Sequence, residues 1–189
     1  MSLLRVLDAD LTHSGGLWGR PAHIRVLRSA VNVVLYPRMQ AILLFRLSQR
    51  AWRVPLFRPV ALLLQARAIR VAGAEIHPAA TIGPGLMLLH SVGIVVGHQV
   101  VAGRDLVISQ GVTLGHRRGD GQPVLGDRVR LMVGSMILGA VSVGDDTVVA
   151  AGAVVLEDVP AGHVAVGVPA RSLPMQQAPP PPVVGTSGG

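Results

Sequence analysis

Few side chains in this sequence could do covalent or proton-transfer chemistry. Its 189 residues contain no Cys, and all 17 basic residues are Arg. Disulfides, thiolate metal sites, cysteine nucleophiles and lysine Schiff bases are therefore excluded. Seven histidines remain as groups that titrate near neutral pH, set against ten Asp and Glu. His13 and His23 lie in the N-terminal part, His77 precedes Pro78, His98 and His116 stand in polar surroundings, and His163 comes late. His90 differs, because Met87-Leu88-Leu89-His90-Ser91 is otherwise apolar. Imidazole is a good zinc ligand, and His77, His90 and His98 are the set that could in principle hold a metal. No second pair of closely spaced histidines completes it, so no metal is expected.

A histidine works only if a rigid element holds it, and a six-residue period supplies that element. Aliphatic residues recur at Ile76, Ile82, Leu88, Ile94, Val100, Leu106 and Val112, then at Leu125, Leu131, Ile137, Val143, Val149 and Val155. A helix of 3.6 residues per turn cannot keep such a period on one face, and an alternating strand would repeat every two residues. A fixed period of this kind marks a solenoid, here a parallel β-helix of short flat strands and tight corners. Three units make one triangular coil, so the spacing predicts inward columns such as Ile76, Ile94 and Val112. A composition that is 50% apolar but only 3% aromatic suits stacked Val, Ile and Leu. The period is interrupted once, between Val112 and Leu125. There His116-Arg117-Arg118-Gly119-Asp120-Gly121-Gln122 reads as an external loop, near 116–123, carried on a rigid scaffold.

The flanking segments divide the chain further. Residues 1–19 are weakly patterned and read as a lightly packed lead-in. Residues 20–74 carry helical periodicity, with breaks at Pro37 and Pro55, and precede the β-helix at 75–173. Residues 174–189, with Pro179 to Pro182, read as a disordered tail. Residues 11–74 hold ten Arg and no Asp or Glu. That charge suits a helical cap with solvated guanidinium groups, and leaves open a peripheral contact with an anionic membrane surface. Few aromatics and no recognition motif argue against nucleic acid as a partner. The first twenty residues lack a secretory pattern, and no uncharged apolar run reaches the length of a membrane span, so a cytoplasmic location is expected.

Specific residues carry a resemblance beyond the repeat. The run Glu75-Ile-His-Pro-Ala-Ala-Thr-Ile-Gly-Pro-Gly-Leu-Met87, then His90 and Gly93-Ile-Val-Val-Gly97, closely resembles the serine acetyltransferases. Gln110-Gly-Val-Thr-Leu-Gly115 and Gly167-Val-Pro-Ala-Arg171 extend the match, which covers roughly 30–173 and includes Tyr36-Pro37 and Phe45-Arg46. The resemblance implies a homotrimer of left-handed β-helices with acetyl-CoA bound between neighbouring coils as co-substrate. It implies that His90 is the general base on a small acceptor's hydroxyl, with Glu75 at the position of the acidic residue, usually Asp, that orients it. It places Gly115, Gly134 and Ala151 along the pantetheine channel, where small side chains admit the cofactor. Direct transfer without an acyl-enzyme is the economical mechanism.

The pattern departs from the family at the acceptor. Serine-specific members carry Asp beside the catalytic histidine, where this chain has Leu89, and Arg-His before the loop proline, where it has Gly121 and Gln122. Leu89, His116, Arg117, Arg118 and Gln122 are the residues expected to meet the acceptor. A zwitterionic amino acid needs counter-charges when it is buried. L-serine, a related hydroxyl compound, and a sugar or natural-product hydroxyl therefore all stand as acceptors, the last by similarity to exopolysaccharide acetyltransferases. A non-catalytic trimeric scaffold is the reading from another class, and it predicts no acetyl-CoA binding. The chain ends in Gly-Thr-Ser-Gly-Gly, not the isoleucine by which such enzymes dock cysteine synthase, so that docking is not expected.

Overall fold

A computed structural model describes residues 2–15, 22–118 and 121–175. Four helices, α1 (Leu3–Gly15), α2 (Ala22–Leu35), α3 (Pro37–Trp52) and α4 (Arg58–Ala72), precede the solenoid. Its first coil is β1 (Ala74–Ile76), β2 (Thr81–Ile82) and β3 (Met87–Leu88), and its second is β4 (Ile94–Val96), β5 (Val101–Ala102) and β6 (Val107–Ile108). The third is β7 (Thr113–Gly115), β8 (Val124–Leu125) and β9 (Arg130–Leu131), and the fourth is β10 (Met136–Leu138), β11 (Ser142–Val143) and β12 (Val148–Val149). Then β13 (Val154–Val155) adds to the first wall, and β14 (His163–Val166) with antiparallel β15 (Arg171–Pro174) closes the third. Parallel pairing of every third strand builds three walls: β1-β4-β7-β10-β13, β2-β5-β8-β11 and β3-β6-β9-β12-β14-β15. This is the parallel β-helix that the six-residue period predicts.

The register differs from the predicted columns. Ile76 pairs with Val96, and Ile94 lies opposite Ala74, so the first coil takes 20 residues instead of 18. Later coils step by 18, as in Val95 with Thr113 and Val124 with Ser142. The two extra residues fall between Leu88 and Val96, in the corner that carries His90. A coil position and the one two residues before it both point inward, so Ile94 and Val96 are both buried. The simple period slipped from one inward row to the other without meeting a polar residue. The second interruption is then larger than the period suggested. Val101 pairs with Val124 and Val107 with Arg130, steps of 23 that insert five residues after Leu114.

The lead-in is a correction. Residues 3–15 form a helix, and Asp10 on it is fully buried against Arg46 of α3. Arg46 Nε donates to Asp10 Oδ2 at 2.7 Å, and its other nitrogens reach the Ile82 and Gly83 carbonyls. Asp10 Oδ1 also accepts the N–H groups of Gly85 and Leu86. One buried pair thus fastens both helices to the first coil. The helix breaks fall at Pro37, the first residue of α3, and at a 3-10 turn over Pro55–Phe57. Gly73 ends α4 in the left-handed conformation, at φ 66°, and donates to the Ile69 carbonyl, the cap glycine favours. Met39 is buried, whereas Val31, Val34 and Leu35 of α2 stay exposed. The anticipated tail also begins later: Pro174 pairs with His163 in the sheet, and 176–189 lie outside the described residues. No single described helix is long and apolar enough to cross a membrane.

Candidate active site

His90 stands exposed on the corner joining the third wall to the first, in the segment with two extra residues. The backbone beneath is pinned: Gly93 N–H donates to Gly73 and Gly111 N–H to Val92. The same corner continues upward through Gly111, Gly134 and Gly152, whose N–H groups donate to Val92, Gln110 and Val133. Gly134 has φ 66°, and a Cβ built there would meet nothing within 4 Å. With exposed Ala151 beside Gly152, this gives an open strip of small residues running up from His90. Met132 and Val133 border it and are exposed as well. Gly115 lies elsewhere, at the far end of β7 on the next corner. The strip therefore unites His90, Gly134 and Ala151 but not Gly115 within one protomer.

Glu75 is exposed on the outer face of β1, in register with Val95. Among the described residues, no hydrogen bond or ion pair joins Glu75 to His90. Its electrostatic neighbour is His77, whose pKa burial lowers, helped by His98 and opposed by Glu75. The His77 ring contacts Trp52 and His98 edge-on, at centroid distances of 5.2 and 5.7 Å. Its Nδ1 accepts the Ala79 N–H, which marks it as a corner-stabilising residue. No group of three or more metal-ligating side chains forms among the described residues.

The loop leaves the corner between the first and second walls. His116, Arg117 and Arg118 are exposed there, and Gly119 and Asp120 lie outside the described residues. Gln122 is buried: its Oε1 accepts the Gln99 N–H at 2.9 Å, and its amide lies 3.4 Å from His98 Nδ1. That side chain is committed to the coil and fixes the loop's base. This corrects its assignment to the acceptor.

Beside His90 opens a cavity of about 470 Å³ between the start of α3, the end of α4 and the His90 corner. Its lining includes Tyr36, Arg38, Arg70, Leu89, His90 and Ser91. Arg38 Nη1 donates to the Leu89 carbonyl at 3.1 Å, and its guanidinium packs over the Tyr36 ring. Sequence reasoning passed over Arg38 as one solvated charge among many; its place directly after Tyr36-Pro37 was the available signal. A second cavity, of about 460 Å³, lies on the outer side of the third wall, where Arg128 and Asp146 pair with each other.

Comparison with known proteins agrees with this geometry. The family pattern for the bacterial transferase hexapeptide (six repeats) matches residues 122–157. A Helicobacter pylori serine acetyltransferase is 42% identical over 144 residues, spanning 75% of this chain and 84% of that one. An Arabidopsis thaliana protein, serine acetyltransferase 2, is 37% identical over 81% of this chain and 47% of its own. The soybean serine acetyltransferase complexed with serine superposes with TM-score 0.80 at 37% identity, over 91% of this chain and 70% of that one. The Brucella abortus serine acetyltransferase in complex with coenzyme A gives 0.78 at 33%, over 90% and 67%. Sequence and fold thus agree over most of the chain, and this chain is a member of the serine acetyltransferase family.

Proposed function

We propose that the protein is an acetyl-CoA-dependent O-acetyltransferase that transfers acetyl directly to the hydroxyl of L-serine or a closely related acceptor. The observation that carries this reading is His90, solvent-exposed at the foot of the Gly134–Ala151 strip, in a chain 42% identical to a serine acetyltransferase. Small residues along that corner suit a pantetheine arm lying against backbone. His90 takes the acceptor's hydroxyl proton as the oxygen attacks the thioester carbonyl carbon. The carbon–sulfur bond breaks, and the imidazolium returns its proton to the departing thiolate. Atoms and charge balance without a metal or a covalent acyl-enzyme.

The working unit in this proposal is a homotrimer, and its site is shared. Glu75 and His90 do not meet within one protomer, so the carboxylate that orients His90 comes from a neighbouring subunit. The hexapeptide pattern supports such packing of prism against prism. Thiol release from acetyl-CoA with L-serine tests the assignment. Wild-type turnover that His90→Ala abolishes is expected, and unchanged turnover in His90→Ala would overturn it.

A further inference from the structure

The cavity beside His90 is chemically one-sided. Arg38 and Arg70 line it, and among the described residues of the protomer no Asp or Glu does. Arg38 Nε is buried without a hydrogen-bond partner, an unusual state for a guanidinium that already spends Nη1 on Leu89. Among the described residues only Nη1 of this guanidinium is paired, so Nη2 is the nitrogen left for an anion entering the cavity. The N-terminus of α3 opens onto the same cavity, with Pro37 as its first residue and no side-chain cap. Its dipole adds positive potential at that point. Leu89 contributes an apolar surface next to His90, where an ammonium group would need a counter-charge.

Resting on the reading of His90 as the acetyl-transfer base, we propose that Arg38 binds the acceptor's carboxylate and that the site makes no demand for its ammonium group. The acceptor class is then a small hydroxy-carboxylate, amino-substituted or not. Arg38 is a specificity-determining residue, because it lies one residue's reach from His90 through the Leu89 carbonyl it holds.

The test compares three acceptors in a thiol-release assay with the full chain. They are L-serine, glycerate (hydroxyl and carboxylate without ammonium) and serinamide (hydroxyl and ammonium without carboxylate). Glycerate is expected within about tenfold of serine in kcat/KM, and serinamide lower by roughly 10–100-fold, the range for a lost charged hydrogen bond. Arg38→Met should raise the KM for serine and glycerate by a similar factor, leaving kcat and the KM for acetyl-CoA nearly unchanged. Arg38→Lys should recover part of that loss. A merely structural Arg38, acting through Leu89, would instead lower kcat equally for all three acceptors, which would overturn the proposal. So would serinamide matching serine, or glycerate failing where serine is used. Absence of turnover with every acceptor, together with absence of acetyl-CoA binding, would overturn the acetyltransferase reading itself. Turnover indifferent to the carboxylate would overturn only the role of Arg38.

Discussion

Glu75 projects from the outer face of the first wall, while His90 stands on the corner leading into that wall's next strand, and among the described residues of one protomer no hydrogen bond or ion pair joins them. In the proposed trimer His90 takes its orienting carboxylate from another subunit, and a site shared in that way can be rebuilt from two broken parents. His90→Ala should lower kcat by about 10²–10⁴, the usual contribution of a general base. Glu75→Gln should lower it less, since it removes orientation and not the base. In trimers mixed from the two variants at random, about a quarter of sites would regain both groups. Activity well above the sum of the two parents, measured on co-expressed protein, is the expected result. A mixture no better than its parents would place the pair, or its role, wrongly.

Asp10 and Arg46 make a different demand, on stability. Burial pushes the Asp10 carboxyl above its ordinary value, against the pull of Arg46 and the Leu86 and Gly85 N–H groups. Such a pair costs desolvation to form, yet removing one partner strands a buried charge. Asp10→Ala should therefore cost about 3–5 kcal/mol, read as a fall in thermal midpoint with loss of helical circular dichroism. Replacing both residues with apolar side chains, Asp10→Leu with Arg46→Met, should recover only part of that, because the Gly85 and Leu86 N–H groups and the Ile82 and Gly83 carbonyls lose their partners. An Asp10→Ala protein as stable as its parent would mean that α1 does not fasten the first coil.

The sequence exposed some of this architecture and concealed the rest for identifiable reasons. The β-helix was legible because its period outlasts every local irregularity. Its register was not, because Ile94 and Val96 are both inward and aliphatic, so a two-residue insertion leaves no polar trace. That insertion carries His90, which the family resemblance located and the period alone did not. Asp10 escaped notice because a lone acid in a weakly patterned segment looks like surface. The clue was Arg46, a charge set among Ile42, Phe45 and other buried residues of α3 that required a partner. Gln122 was placed on the correct loop with its side chain turned the wrong way, since sequence spacing says nothing about which face a loop base presents.

The base of that loop is also sensitive to Gly97. A Cβ there would clash with Gln122 Oε1 if nothing moved. The Gln122 side chain is flexible enough to yield, but yielding breaks its bond to the Gln99 N–H. Gly97→Ala should thus cost about 1 kcal/mol, the value of one hydrogen bond, and loosen residues 116–122. Faster amide exchange at Gln99 is the direct readout. Unchanged protection there would show that Gln122 does not hold the loop.

Gly134 allows the proposed cofactor channel to be tested apart from the fold. Its φ of 66° favours glycine, while the empty space around its Cβ means that alanine meets no atom of its own chain. Gly162 shares both properties, at φ 67° with nothing within 4 Å, but lies on the corner between the second and third walls. Alanine at either position should cost about 1–2 kcal/mol through the left-handed backbone alone. Only Gly134→Ala adds a methyl to the strip above His90. It should therefore raise the KM for acetyl-CoA by roughly tenfold, about 1.4 kcal/mol, with the KM for the acceptor unchanged. Gly162→Ala should match its loss of thermal stability and leave both KM values alone. Equal kinetics for the two variants would mean that coenzyme A does not run along this corner, because backbone strain is the one effect they share.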